Sequence, residues 1–415
     1  MPKTTPFHRC LAPMNHVGIW KNWSGYLVAP NYQHSILTEY YAIRNAAAIF
    51  DTSPLFKYRI IGEHSSALLS YVLARNIGDC KTGMAQYSVM CDERGFVVQD
   101  CVVLHVEEDE FWMTTADPAL WYLEQTARHL NLQHVRIEDV SDDYGILAVQ
   151  GLHAANVLGQ LTDGIDQLQY FGVTKANIAG KPVVISRTGY TGDLGYEIWS
   201  ATEHCIELWN LLFSVGSGFN LTPIGTTALK IARLEAGLLL MGVDFYSSRY
   251  AWVDDQRDTP LELGWGWMFK KLNGDPREFR GKAALLLETV EKSNRWKTVG
   301  LVTDWHDYER LHRETGIPTN KHEVYREATM SIYRRGSANW EYAGYASSFA
   351  FSPLLQKPIA IAKLPNDLAR PGTEVDLEIS ILRRPANVLV RVASLPFFNP
   401  PRKTTTPSGV NLNVR

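Results

Sequence analysis

Residues 186–199 read SRTGYTGDLGYEIW: Gly189, Gly192 and Gly195 fall at intervals of three and run into an apolar, alternating segment. A dinucleotide or phosphate loop needs its glycines to open a helix, whereas these open a strand, so neither site is expected. A built-in flavin or nicotinamide is therefore excluded from the reading, and the chemistry reads as redox-neutral. Without Cβ atoms the three glycines let the backbone approach a flat ligand closely. The Glu197 carboxylate could then accept from the N–H edge of a heterocycle. A tight β-turn followed by a surface glutamate explains the same letters, and the stretch alone leaves both readings open.

Working outward, two further segments place polar groups where apolar ones would be ordinary. Residues 84–103, MAQYSVMCDERGFVVQDCVV, read as a hairpin turning at 92–95, with Asp100 among Val97, Val98, Val102 and Val103. A carboxylate there is costly unless it has partners; the plainer reading puts it on the solvent face of an alternating strand. Residues 231–245, IARLEAGLLLMGVDF, carry Arg233 in an otherwise apolar helix. A surface arginine paired with Glu235 or Asp244 is the ordinary alternative.

The chain has 415 residues, which at roughly 100–200 residues per domain predicts about two to four domains. Its 41 basic and 44 acidic residues leave a net charge of −3, with no basic excess to hold nucleic acid. Five cysteines form no CxxC pair and read as reduced thiols of a cytosolic protein. The first 20 residues lack a continuous apolar run, and no apolar stretch nears the ~20 residues a membrane span needs. The expectation is a cytoplasmic protein away from membranes.

Helices are predicted over 35–50, 63–74, 118–131, 153–161, 203–218 and 224–240. The alanines favour the first, which Asp51-Thr52-Ser53-Pro54 should stop. Strands are predicted at 57–61, three times between 86 and 116, at 145–150 and at 183–187; from 296 to 400 short β stretches dominate. The polar tail from 399 is expected to fray. There is no HExxH and no GxSxG. His306, Glu309 and His312 match no standard ligand spacing, so no metal is expected.

In this order and at this spacing the three polar-marked segments resemble the glycine-cleavage T-protein family of tetrahydrofolate-dependent one-carbon transferases. Two further blocks extend the resemblance: EYYAIRNAAAIFDTSPLFKYRIIG at 39–62, and TPLELGWGWMF followed by REFRGKAAL from 259 on. The resemblance implies an α+β chain folded as a three-domain cloverleaf around a central folate cavity. Residues 1–57 with 146–240 would form a folate-binding domain, and 58–145 with 241–295 a ferredoxin-like domain. Residues 296–400 would form a β-barrel or jelly roll, and 401–415 a flexible tail. It further implies tetrahydrofolate as cofactor, with Asp100 as the catalytic carboxylate beside the reactive end of the folate. Tyr87 would pack nearby, Tyr190 and Glu197 would hold the pterin, and Arg233 would face the site. Trp267, or else Trp265, would complete it.

The chain departs from the family pattern in having Gln99-Asp100 where two aspartates are usual, and Thr115-Ala116-Asp117 where Asn-Ala is usual. It carries an aromatic N-terminal segment and an extra charged stretch at 304–328, and it lacks the KGCYxGQE signature of the iron–sulfur-assembly branch. These departures point to the folate-dependent demethylase branch, with a small-molecule methyl donor as partner. Trp20, Trp23 and Tyr26 are the candidates for a cage around a cationic donor; as core aromatics they would need no such role. The alternative is a glycine-cleavage aminomethyltransferase, whose partner would be a lipoyl carrier protein. A non-catalytic folate-binding scaffold is the reading from another class.

Overall fold

The computed structural model describes residues 2–269, 272–319, 325–336 and 339–409. After α1 (His8–Leu11) and the hairpin β1 (Lys21–Trp23)–β2 (Tyr26–Val28), α2 spans Ile36–Asn45 and β3 Ala47–Asp51. The alanine-rich run thus supplies a helix and then a strand, not one helix to residue 50. Ala46 leaves the helical region at φ −141° and ψ −133°, and all five residues of β3 are buried in a strand flanked on both sides within a sheet. A short run that is apolar on both faces fits a central strand as well as a helix, and its sheet neighbours override the propensity of alanine.

Next come β4 (Phe56–Ile61), α3 (Ser65–Val72), β5 (Met84–Cys91), β6 (Val97–Glu107), β7 (Glu110–Thr115), α4 (Leu120–His129) and β8 (Arg136–Asp139). These build a five-stranded antiparallel sheet in the order β5-β6-β7-β4-β8. One face buries Met90, Cys101, Val103 and Met113 under Leu68, Leu69 and Val72 of α3 and Leu123 of α4.

The chain continues through β9 (Tyr144–Gln150), α5 (Ala154–Gly159), β10 (Val173–Ile178), β11 (Lys181–Ser186), β12 (Gly195–Ala201), α6 (Cys205–Gly216), β13 (Leu221–Pro223) and α7 (Thr226–Glu235). With β3 these strands form a six-stranded sheet, β10-β11-β12-β9-β3-β13, whose edge strand β13 runs parallel to β3. Its outer face packs Leu147, Val149, Ile185 and Ile198 against Leu158, Leu208 and Leu212 of the covering helices. The helix expected to reach 240 stops at Glu235. Gly237 takes φ +65°, and the N–H groups of Gly237 and Leu238 return to Leu234 and Arg233, a glycine-capped end.

After α8 (Lys282–Glu291) come β14 (Lys297–Thr303), α9 (Trp305–Glu314), β15 (Met330–Arg334), β16 (Tyr342–Ser352), β17 (Lys357–Leu364), β18 (Glu374–Ile381) and β19 (Arg384–Ala393). The six strands close into a barrel, so the C-terminal unit is a barrel with no free sheet edge. The charged stretch at 304–328 contains α9, capped by Asp304 through the Asp307 N–H at 3.1 Å. Among the described residues no helix is long and apolar enough to cross a membrane. The tail does not fray where it is described: Arg402 grips the buried Asp193 at 2.6 and 2.8 Å. Residues 410–415 lie outside the described residues.

Candidate active site

The inner faces of the two sheets meet. At one end Trp112 of β7 packs edge-on against Trp199 of β12, with ring centres 5.3 Å apart. Register places Tyr87, Val102 and Thr114 in one cross-strand row on the inner face of the five-stranded sheet, with Asp100 opposite Val89 in the next. On the facing sheet Glu197 shares a row with Ser186, Ala148 and Phe50. Ala85, Val89, Leu104 and Trp112 on the one face, and Ala148, Phe50 and Trp199 on the other, are buried. Tyr87, Asp100, Val102, Thr114 and Glu197 are only partly so. Partial exposure inside two otherwise buried, facing surfaces marks the lining of an internal recess.

Within this recess the Tyr87 hydroxyl donates to Asp100 Oδ2 at 2.9 Å. Enclosure pushes the Asp100 carboxyl up to about 6, with the Tyr87 bond holding it from going higher. Burial likewise drives the Tyr87 and Tyr190 phenols well above their usual range, and the Asp100 charge raises both further. The Tyr190 hydroxyl is tied to the Leu239 carbonyl at 2.5 Å, and the Arg233 charge opposes the rise of its phenol. Glu197 accepts from the Thr188 hydroxyl at 2.5 Å through Oε2. Its Oε1 has no hydrogen bond among the described residues, so one enclosed acceptor is left for a ligand. Burial raises its carboxyl, and the Thr188 bond opposes that.

The loop that carries Thr188 and Tyr190 uses its glycines differently from the expectation of close ligand approach. A Cβ on Gly189 or Gly195 would sit 2.1 or 2.2 Å from the Gln150 amide, and one on Gly192 would sit 2.2 Å from the Ala236 Cβ. The glycines make room for Gln150 and for the end of α7. Gln150 is the residue the sequence reading missed: it donates to the Thr188 carbonyl at 3.1 Å and accepts from the Thr191 hydroxyl at 2.8 Å. Its one signal is a lone amide ending the apolar run of β9. Gln99, the first departure from the family pattern, points to the sheet's other side and accepts from the Asp117 N–H at 3.2 Å.

The remaining candidates have other partners. Arg233 is fully buried, but its terminal nitrogens serve Asp244, the Leu238 carbonyl (3.1 Å), Tyr325 (2.6 Å) and Ser348 (2.7 Å). It ties α7 to the barrel and has no terminal donor to spare for a ligand. Trp265, not Trp267, stands beside the site: it is buried and edge-on to Tyr87 at 5.8 Å. Trp267 is 45% exposed and lies under Arg75. Trp20, Trp23 and Tyr26 form no cage. Trp20 packs on His8, Trp23 stacks on Phe50, and Tyr26 bonds Asp142 at 3.0 Å beneath Lys3. His312 of the once-considered histidine group bonds the Tyr308 carbonyl at 2.9 Å within its own helix. Two surface depressions of about 480 and 650 Å3, one along α4 and β8 and one by the acidic 138–144 turn, contain none of the site residues.

A recess held between two sheet lobes, with enclosed carboxylates and phenols along its walls, defines an enzyme that works on ligands taken inside the molecule. The GCVT N-terminal domain family matches residues 7–272, and the glycine cleavage T-protein C-terminal barrel domain matches residues 313–399. An aminomethyltransferase of Saccharopolyspora erythraea is 30% identical over 400 residues, covering 96% of this chain and 98% of that protein. One of Streptomyces coelicolor is 31% identical over 366 residues, covering 87% and 88%. In fold, the solved glycine cleavage system aminomethyltransferase T of Bartonella henselae superposes with a TM-score of 0.79 at 23% identity, over 96% of this chain and 99% of that one. The chain belongs to the glycine-cleavage T-protein family and is a C1-group transferase. The expected partner, a small-molecule methyl donor, is corrected by these relatives, which are aminomethyltransferases matched over 98% and 88% of their length.

Proposed function

We propose that the protein is an aminomethyltransferase of the glycine-cleavage kind that passes its one-carbon unit to tetrahydrofolate. The observation that carries this reading is the pair of enclosed carboxylates, Asp100 and Glu197, on facing inner sheets, one tied to a phenol and the other keeping a free oxygen. Glu197 Oε1 suits the N–H edge of a pterin, and the Tyr190 ring suits its flank. Asp100, with a carboxyl titrating near 6, is ionised at neutral pH. It can hold a cationic nitrogen beside the acceptor amine, while Tyr87 fixes its orientation. The demethylase reading rested on departures from the family pattern, and the cage that a cationic donor would call for is not formed by Trp20, Trp23 and Tyr26.

Tetrahydrofolate supplies two N–H groups as acceptors. An aminomethyl group on a carrier thiol loses its nitrogen as ammonia. The carbon becomes bonded to both folate nitrogens, and the carrier sulfur regains a proton. Two acceptor N–H hydrogens account for the thiol proton and the third hydrogen of ammonia, so no oxidant is required. Holding donor and acceptor together supplies up to ~7–11 kcal/mol of the barrier.

The test is to mix the protein with tetrahydrofolate and an aminomethyl-loaded lipoyl carrier protein, then assay ammonia and methylene-folate together. Both products should appear in equal amounts. Tight folate binding without ammonia would overturn the aminomethyltransferase reading in favour of a scaffold.

A further inference from the structure

The C-terminal segment leaves the barrel and crosses back to the first lobe. Leu395 lies where a Cβ on Gly237 would meet it at 2.9 Å, and the Phe398 N–H donates to the Glu235 carbonyl at 2.8 Å. The Phe398 ring covers the Arg44 guanidinium at 4.5 Å. Arg402 then closes a two-pronged pair with Asp193, Nε to Oδ1 at 2.6 Å and Nη2 to Oδ2 at 2.8 Å, and Nη2 also reaches the Arg44 carbonyl at 3.1 Å. Asp193 is wholly enclosed and shared with Arg44 Nη1 at 3.1 Å. At the other end of the same loop, Arg187 Nη2 donates to the carbonyls of Arg402 (3.2 Å), Lys403 (3.2 Å) and Thr405 (2.7 Å).

The glycine loop is therefore gripped at both ends, residues 187 and 193, by one short piece of tail. Between the grips lie Thr188, which orients Glu197, and Tyr190. Nothing in the two-sheet core requires the tail, since β11 and β12 pair with each other through residues 183–186 and 197–200 without it. The loop beyond those pairs has Gln150 and Arg44 beneath it, the latter donating to the Thr191 carbonyl at 3.0 Å, and the tail at its ends.

We propose that Arg402 is a positioning residue for the ligand loop: through Asp193, with the tail carbonyls on Arg187, it holds Thr188, Tyr190 and Glu197 in their ligand-receiving arrangement. This rests on the reading that the loop receives a pterin. A bidentate pair with a buried carboxylate fixes both distance and plane, and a misplacement of about 1 Å in a positioned group costs up to ~100-fold in rate.

The test uses the full chain, as Arg402→Ala and Arg402→Lys. Tetrahydrofolate binding is measured by calorimetry, and amide hydrogen exchange is followed in the peptides covering 187–194 and in the barrel strands. Arg402→Ala, by letting Glu197 lose its charged hydrogen bond to the ligand, should raise the Kd for tetrahydrofolate roughly tenfold or more and speed exchange in 187–194, with barrel exchange unchanged. Arg402→Lys, which keeps one contact to Asp193, should recover part of both. Faster loop exchange with Kd within twofold of the parent overturns the proposal, as does unchanged loop exchange. Should Arg402→Ala not fold, Arg402→Lys decides alone, its Kd and loop exchange moving together or not at all. If the parent itself takes up no tetrahydrofolate, the proposed function fails, and the exchange result still decides whether the tail holds the loop.

Discussion

Asp100 has an enclosed carboxyl with one phenol as its side-chain partner, and that shapes both its chemistry and its cost. Its folded value of about 6 lies above the ordinary 3.8. Between those values the native state binds more protons than the unfolded chain, so this group's contribution to stability is complete below about pH 4 and is lost as the pH rises through 6. Asp100→Asn should therefore unfold at no lower urea concentration than the parent at pH 7.5, while kcat falls by ~10²–10⁴-fold. In the parent, kcat/KM should rise with pH through a limb near 6, and that limb should vanish in the asparagine variant. A limb that survives in the variant would assign the titration to another group. Glu197→Gln places an amide donor or acceptor where a carboxylate oxygen stood. Losing a charged hydrogen bond of ~1.5–3 kcal/mol should weaken tetrahydrofolate binding about 10- to 150-fold, measurable by calorimetry. Asp100 was marked out by a carboxylate among valines, with its role left to the family resemblance, and Tyr87 came with that resemblance alone. Trp265 was not: it and Trp267 flank Gly266 just where a 3-10 turn begins, and no periodicity says which ring turns inward.

At the scale of elements, the loop 187–194 shows where letters mislead. One of the two open readings gave its glycines to a ligand, yet two of the three serve Gln150 and the third serves α7. Gly192 also sits at φ +67°, so alanine there meets two penalties, backbone strain and the Ala236 methyl. Overpacking of this kind costs ~1–3 kcal/mol, and Gly192→Ala should lower the urea midpoint accordingly. Adding Ala236→Gly removes the facing methyl but not the strain, so the double variant should recover only part of the loss. Full recovery would show that φ is not limiting, and no recovery would show that the methyl is not. Hairpin β5–β6 and the barrel strands were legible from alternation and turn residues. The switch from α2 to β3 was not, because the alanines obey a local preference that the sheet overrules. The end of α7 was available in Gly237, a helix-capping glycine passed over because three leucines follow it.

At the scale of the molecule, the lobes are joined by buried polar groups whose partners mostly lie far apart in sequence; of the charge pairs, Arg233 with Asp244, eleven residues on, was open to a reading along the chain, and the others were not. Arg233 and Asp244 meet Ser347 and Ser348 of the barrel, and Arg44, Glu235 and Tyr40 meet Ser352. The clearest case is Lys363 of β17, whose Nζ lies 2.6 Å from both oxygens of Asp258, with each side chain 4% exposed. The Asp258 carbonyl accepts from the Val97 N–H at 2.8 Å, so this pair anchors the barrel to the start of β6, three residues from Asp100. Burial raises the Asp258 carboxyl and Lys363 restrains it. Lys363→Met removes that restraint and leaves a buried carboxylate unpaired, which costs ~3–5 kcal/mol when one partner is deleted. The penalty belongs to the ionised form, so urea unfolding should show a larger loss at pH 8 than at pH 5, where Asp258 takes up a proton in place of the lost ammonium. Replacing both, as Lys363→Met with Asp258→Leu, removes the unpaired charge and should return most of the stability at pH 8. A single-variant loss that is equal at the two pH values would mean that packing, not charge, joins the barrel to the catalytic lobe.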